Sequence, residues 1–72
     1  MEFKDLFFLW RRENSLTQIE AADLIGISRS SYNRFEKWGM AGLKVYQKIS
    51  NYYKENKVEF GMEAISNGIS KN

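Results

Sequence analysis

QIEAADLIGISRSSYNRFEK, residues 18–37, holds two short helical patterns on either side of a glycine. Just before it, Thr17 is followed three residues on by Glu20. This is a capping box, in which the hydroxyl and the returning carboxylate each satisfy a backbone N–H that a first helical turn leaves free. A helix therefore starts at Thr17. Its inward face is read as Ala21, Ala22, Leu24 and Ile25, and Gly26 ends it, because glycine enters the left-handed backbone region without a Cβ penalty. Ser28 caps a third helix. Tyr32 and Phe35 lie three apart on one of its faces, while Arg29, Ser30, Asn33, Arg34 and Lys37 fall on the other. Ala22 marks the closest approach of the two helices, and Ile25 and Ile27 point inward around the turn.

Upstream, Phe3, Leu6, Phe7 and Trp10 recur at the spacing of one helical face, which predicts helix 1 over about Glu2 to Glu13, broken by Asn14 and Ser15. Downstream, Leu43, Tyr46, Ile49 and Tyr53 predict a fourth helix from about Ala41, followed by a polar loop over Lys54 to Lys57. Val58, Phe60, Met62, Ile65 and Ile69 allow a short fifth helix that Gly61 and Gly68 weaken, with Ser70 to Asn72 as a frayed tail. The expectation is an all-α, compact four- to five-helix bundle, a single domain over residues 1–69.

The chain has 72 residues, 43% of them hydrophobic and 15% aromatic, so one core can form from apolar burial alone. It has neither cysteine nor histidine, which removes disulfides, thiolate and imidazole metal sites, and Ser–His or Cys–His nucleophiles. Its carboxylates are scattered and it has no glycine-rich phosphate loop, so no enzyme activity, cofactor or small-molecule ligand is expected. No apolar run approaches the roughly 20 residues that span a bilayer and nothing resembles a signal peptide, so a cytoplasmic protein is expected. The net charge of +2 is unevenly placed. Residues 1–28 are net acidic, whereas residues 29–48 carry Arg29, Arg34, Lys37, Lys44 and Lys48 against Glu36 alone. That distribution suits a nucleic-acid partner better than the total does.

Two short helices joined by a three-residue turn containing glycine make a helix-turn-helix pattern, which lets the second helix enter a DNA major groove. From about Phe7 to Glu36 the sequence resembles the Cro/CI-type repressor family of phages and bacteria. The resemblance is carried by LTQ at Leu16 to Gln18, AA at Ala21 and Ala22, IGISRSS from Ile25 to Ser31, and RFE at Arg34 to Glu36. It implies a lambda-repressor-like DNA-binding domain with a double-stranded DNA operator as partner. It further implies that Gln18 touches a backbone phosphate and orients its neighbours on the recognition helix, with Thr17 beside it. Arg29, Ser30 and Arg34 would read base edges, with Ser31 and Asn33 close to them and Lys37 and Lys44 on phosphates. Arg11 and Glu36 match positions of a partly buried ion pair that braces helix 1 to the end of helix 3. The side-chain chemistry agrees, since Arg can donate two hydrogen bonds to guanine O6 and N7, and a Ser hydroxyl can donate or accept. A solvated helix face is the alternative reading of these arginines.

The chain departs from the family at Tyr32, where Ile or Val is usual, so the core must fit a larger ring and its hydroxyl needs a partner. It departs again after Glu36, where a basic loop containing proline is common. Here KWGMAG is shorter and proline-free, and Lys37, Lys44 and the first amides of helix 4 are the substitutes. Trp38 is read as a lid over the end of helix 3, in preference to an anchor on the DNA backbone. Phe8 and Leu9 fall off the inward face of helix 1, a patch that suggests a partner surface. A homodimer is expected on half-sites one DNA turn apart, with residues 58–69 and helix 4 offering either its interface or core closure. No ligand-binding domain is expected to follow the motif. The reading is thus a stand-alone Cro-like repressor from a phage or other mobile element. An antitoxin- or excisionase-like accessory factor, or a protein-interaction module on the same scaffold, is the alternative.

Overall fold

A computed structural model describes residues 1–61. The chain forms α1 (Phe3–Glu13), α2 (Gln18–Ile25), α3 (Arg29–Trp38), α4 (Leu43–Glu55) and a closing 3-10 helix (Lys57–Phe60), with no strand among the described residues. Each junction has a local cause. α1 ends in a Schellman arrangement, with Ser15 N–H donating to Arg12 O at 3.1 Å and Leu16 N–H to Arg11 O at 2.9 Å. This places Ser15 at φ +54°, in the left-handed region. At the start of α2, Glu20 N–H donates to the Thr17 hydroxyl at 3.1 Å and Thr17 N–H to the Glu20 carboxylate at 2.8 Å. Gly26, at φ +90°, turns the chain into α3, where the Ser28 hydroxyl accepts from Ser31 N–H at 3.1 Å.

The helices enclose one core. α1 contributes Phe7 and Trp10, α2 Ala21, Ala22 and Ile25, α3 Tyr32 and Phe35, α4 Ile49, and the 3-10 helix Phe60. Phe7 is its hub, with ring centroids 4.7 Å from Phe60, 5.2 Å from Phe3, 5.5 Å from Phe35 and 5.7 Å from Trp10, all edge-on. Aromatic pairs in this geometry contribute about 0.5–1.5 kcal/mol each beyond their area burial. Tyr32 is fully buried, and its hydroxyl donates to Phe7 O at 3.4 Å. That burial raises the phenol far above its usual pKa.

Several sequence expectations are corrected. Leu24 is 54% exposed, because it lies about 100° round the helix from Ile25 and the short α2 buries only one side. Leu43 is 76% exposed for the same kind of reason, sitting roughly 120° from Ile49, and Val45 and Tyr52 join Ile49 and the expected Tyr53 on the inner face of α4. α4 starts after Gly42 and runs to Glu55, so Lys54 and Glu55 are helical rather than looped. The inward Tyr52 and Tyr53 hold this last turn, and the Asn56 side chain closes it by donating to Tyr52 O at 2.9 Å. Of the expected fifth helix, the described part is the single 3-10 turn, ended by Gly61 at φ +74°. Met62, Ile65, Ile69, the domain boundary at 69 and the tail 70–72 lie outside the described residues. Trp38 is no lid: it is 59% exposed, with the Lys37 ammonium 5.0 Å from its ring centroid. Gly39, at φ +72°, turns the chain away directly after it.

Candidate nucleic-acid interface

α3 presents two unlike faces. Tyr32 and Phe35 are buried on one, and Arg29, Ser30, Arg34 and Lys37 are exposed on the other. Neither Arg29 nor Arg34 forms an ion pair among the described residues. Ser31 is turned toward its own cap, its hydroxyl accepting from the Ser28 hydroxyl at 3.0 Å. Thr17 is likewise engaged in capping α2.

Behind this face lies a polar brace centred on Glu36. Arg11 grips the carboxylate with two parallel bonds, Nε to Oε2 and Nη2 to Oε1, both at 2.9 Å. Its Nη1 donates to Leu16 O at 3.0 Å in the α1–α2 turn. Gln18 Nε2 donates to Glu36 Oε1 at 3.0 Å, and Asn33 Nδ2 donates to Gln18 Oε1 at 3.0 Å. Burial would push the Glu36 carboxyl up, but the hydrogen bonds of Arg11 and Gln18 outweigh it and hold the group below its usual pKa. The same contact with Glu36 raises the Arg11 guanidinium. Bidentate, charge-assisted bonds fix direction as well as distance. The rotation of α3 about its own axis is therefore set from α1 and α2 together.

At the C-terminal end of α3, Arg34 lines an open depression of about 530 Å³ with Gly39, Met40, Ala41, Gly42 and Tyr46. Lys44 is exposed on the first turn of α4, whose cap Gly42 has no side chain to satisfy the free amides. Lys48 is committed elsewhere. Its ammonium donates to Gly26 O at 3.2 Å, where the carbonyl end of α2 favours a cation.

Of the brace, the sequence names only the Arg11–Glu36 pair, and it does not name the Lys48 contact. The Asn33–Gln18 bond had a readable signal, since Asn33 and Glu36 are three apart and so share the side of α3 that meets Gln18. The Lys48 contact had none, because it depends on how α4 crosses the turn. Among the described residues no helix is long and apolar enough to cross a membrane, and no group of acidic residues could hold a metal ion.

Two short helices held at a fixed angle through a glycine turn, with a cationic outer face on the second, define a helix-turn-helix DNA-binding domain. Residues 9–60, well over half the chain, match the helix-turn-helix family. The chain belongs to that family, among its Cro/CI-type, XRE-like regulators, and binds double-stranded DNA. Neither a curated protein nor a solved structure gives a significant match.

Proposed function

We propose that the protein is a sequence-specific, Cro-like repressor of a phage or other mobile element, with α3 as its recognition helix in the major groove. The observation that carries this reading is the outer face of α3, where Arg29, Ser30 and Arg34 stand exposed while the opposite face is anchored in the core. These three side chains read base edges. Thr17 caps α2 and Ser31 is held by the cap Ser28, so the phosphate grip falls to Gln18, Lys37 and Lys44. A module this small gains useful affinity as a twofold dimer on two half-sites. Exposed Val58 and residues up to 69 are its proposed interface, although Phe60 within that segment closes the core.

Selection of bound fragments from random duplexes tests the reading, and a palindromic consensus is the expected result. Arg29→Ala and Arg34→Ala should each weaken cognate binding by about 1–3 kcal/mol and relax one operator position. Equal losses on random DNA would make that Arg a phosphate contact. One observation favours a second reading as a protein-interaction module. Trp38, Met40 and Leu43 are exposed around a loop without charged residues. Binding through phosphates weakens steeply as salt rises, so a chain with no affinity for any duplex at low salt would leave only this second reading.

A further inference from the structure

We infer that Asn33 reads a base bearing a major-groove amino group, adenine before cytosine, because the Glu36 carboxylate dictates which end of the Asn33 amide is free. The inference rests on α3 lying in the major groove.

A carboxylate can only accept hydrogen bonds. Glu36 Oε1 takes one from Arg11 Nη2 at 2.9 Å and one from Gln18 Nε2 at 3.0 Å, so the Gln18 amide must turn its nitrogen toward Glu36. The Gln18 oxygen then faces α3 and needs a donor there, which Asn33 Nδ2 supplies at 3.0 Å. Turning the Asn33 amide over would set Oδ1 against Gln18 Oε1, two acceptors with no proton between them. Both amides are half-buried, where a lost hydrogen bond is not freely replaced by water. The polarity of the carboxylate is thereby passed through two side chains to the reading face.

What Asn33 has left is Oδ1 and the second Nδ2 hydrogen. Oδ1 needs a donor, and in the major groove only adenine N6 and cytosine N4 supply one, while guanine and thymine present acceptors. The second Nδ2 hydrogen suits adenine N7, which gives adenine the advantage over cytosine. Asn33 lies one turn from both Arg29 and Lys37, so it shares their side of the helix. Arg29 and Arg34 can only donate, and therefore suit guanine. Asn33 supplies the complementary acceptor on the same helix.

The test is selection from random duplexes with the wild-type chain, Asn33→Ala, Gln18→Ala and Asn33→Asp, followed by affinities for all four bases at each affected position. The wild type should prefer adenine or cytosine at one position by about tenfold over guanine or thymine. Asn33→Ala should level that position alone. Gln18→Ala frees the amide to turn, so guanine and thymine should come within a few-fold there, beside any general loss of affinity. Asn33→Asp, which only accepts, should shift the position toward cytosine. A guanine or thymine preference at the position that Asn33→Ala levels overturns the inference, as does the absence of any such position. An unaltered preference in Gln18→Ala overturns the relay. A wild-type chain that binds no duplex at low salt overturns the placement of α3 itself, an outcome distinct from a changed base preference.

Discussion

The aromatic cluster around Phe7 and the polar brace around Glu36 grip α3 from two sides by opposite means. The cluster gathers rings from α1, α3, α4 and the 3-10 helix, including a near-parallel Trp10–Phe60 stack at 5.2 Å. Its attraction is non-directional and grows with area, so it supplies stability. At its edge the Glu59 carboxylate clasps it, accepting from Trp10 Nε1 at 3.2 Å and from the Tyr52 hydroxyl at 3.1 Å. Burial and that carboxylate push the Tyr52 phenol up to about 12. The brace involves few atoms, each bonded in one direction, and it ties α1 and α2 to α3 without reaching α4. A buried ion pair adds little net stability over apolar residues of the same shape. Its contribution is direction: one device keeps the domain folded and the other aims its reading face.

The largest expected effect lies in the cluster. Phe7→Ala removes the hub and should cost about 3–5 kcal/mol, against a total of roughly 4–11 kcal/mol for a chain of this size. Urea unfolding followed by circular dichroism should show a domain at or near collapse. A loss of under about 1 kcal/mol would mean that the cluster is not the main source of stability. The brace comes next. Arg11→Ala leaves the Glu36 charge poorly matched and should cost about 3 kcal/mol, the low end for a broken buried pair, since Arg11 is partly exposed. The double replacement Arg11→Met with Glu36→Leu should return stability to within about 1 kcal/mol of wild type. It should still blur operator choice, because Gln18 and Asn33 lose their fixed end. A double variant that reads DNA as sharply as the wild type would break the division between holding and aiming.

The brace also carries a pH signature. The Glu36 carboxyl is held below its usual pKa of 4.5, so its stabilisation is fully present above that value. It is lost as pH falls through the lower folded value. Urea midpoints from pH 7 downward should therefore drop more steeply below about pH 4.5 in the wild type than in Glu36→Gln.

The two regions also differ in how far the sequence foretells them. Caps and turns are local, so Thr17, Glu20, Gly26 and Ser28 announce α2 and α3 within a residue. Burial by periodicity is coarser. It places Phe7, Trp10, Tyr32, Phe35 and Ile49 correctly, yet takes Leu24 and Leu43 inward, because a short helix has room against its neighbours for only part of an apolar arc. The contact of Arg11 with Glu36 spans 25 residues in sequence and was reachable only through family resemblance. The extension of that pair to Gln18 and Asn33 is signalled only in part, by the three-residue spacing of Asn33 and Glu36; the rest depends on the angle between α2 and α3, which no spacing rule supplies. Trp38 stands exposed for a similar reason, since its position follows from Gly39 and the path of the chain after it.

The smallest expected effect tests whether the turn that anchors the brace is strained. Ser15 adopts φ +54° because the Schellman closure of α1 requires a left-handed residue there, and its neighbour Leu16 offers the carbonyl that Arg11 Nη1 grips. A residue with a Cβ loses roughly 1–2 kcal/mol in that region, whereas glycine enters freely but gives up roughly 0.5–1 kcal/mol more backbone entropy on folding. Ser15→Gly should therefore gain about 0.5 kcal/mol, visible as a small rise in the urea midpoint. Ser15→Ala is the control. It keeps the Cβ and loses the hydroxyl, so it should gain nothing. Equal behaviour of the two variants would place any change in the hydroxyl instead of the backbone. A gain in Ser15→Gly with operator choice unaltered would show that the strain in this turn is a cost of closing α1 and plays no part in aiming α3.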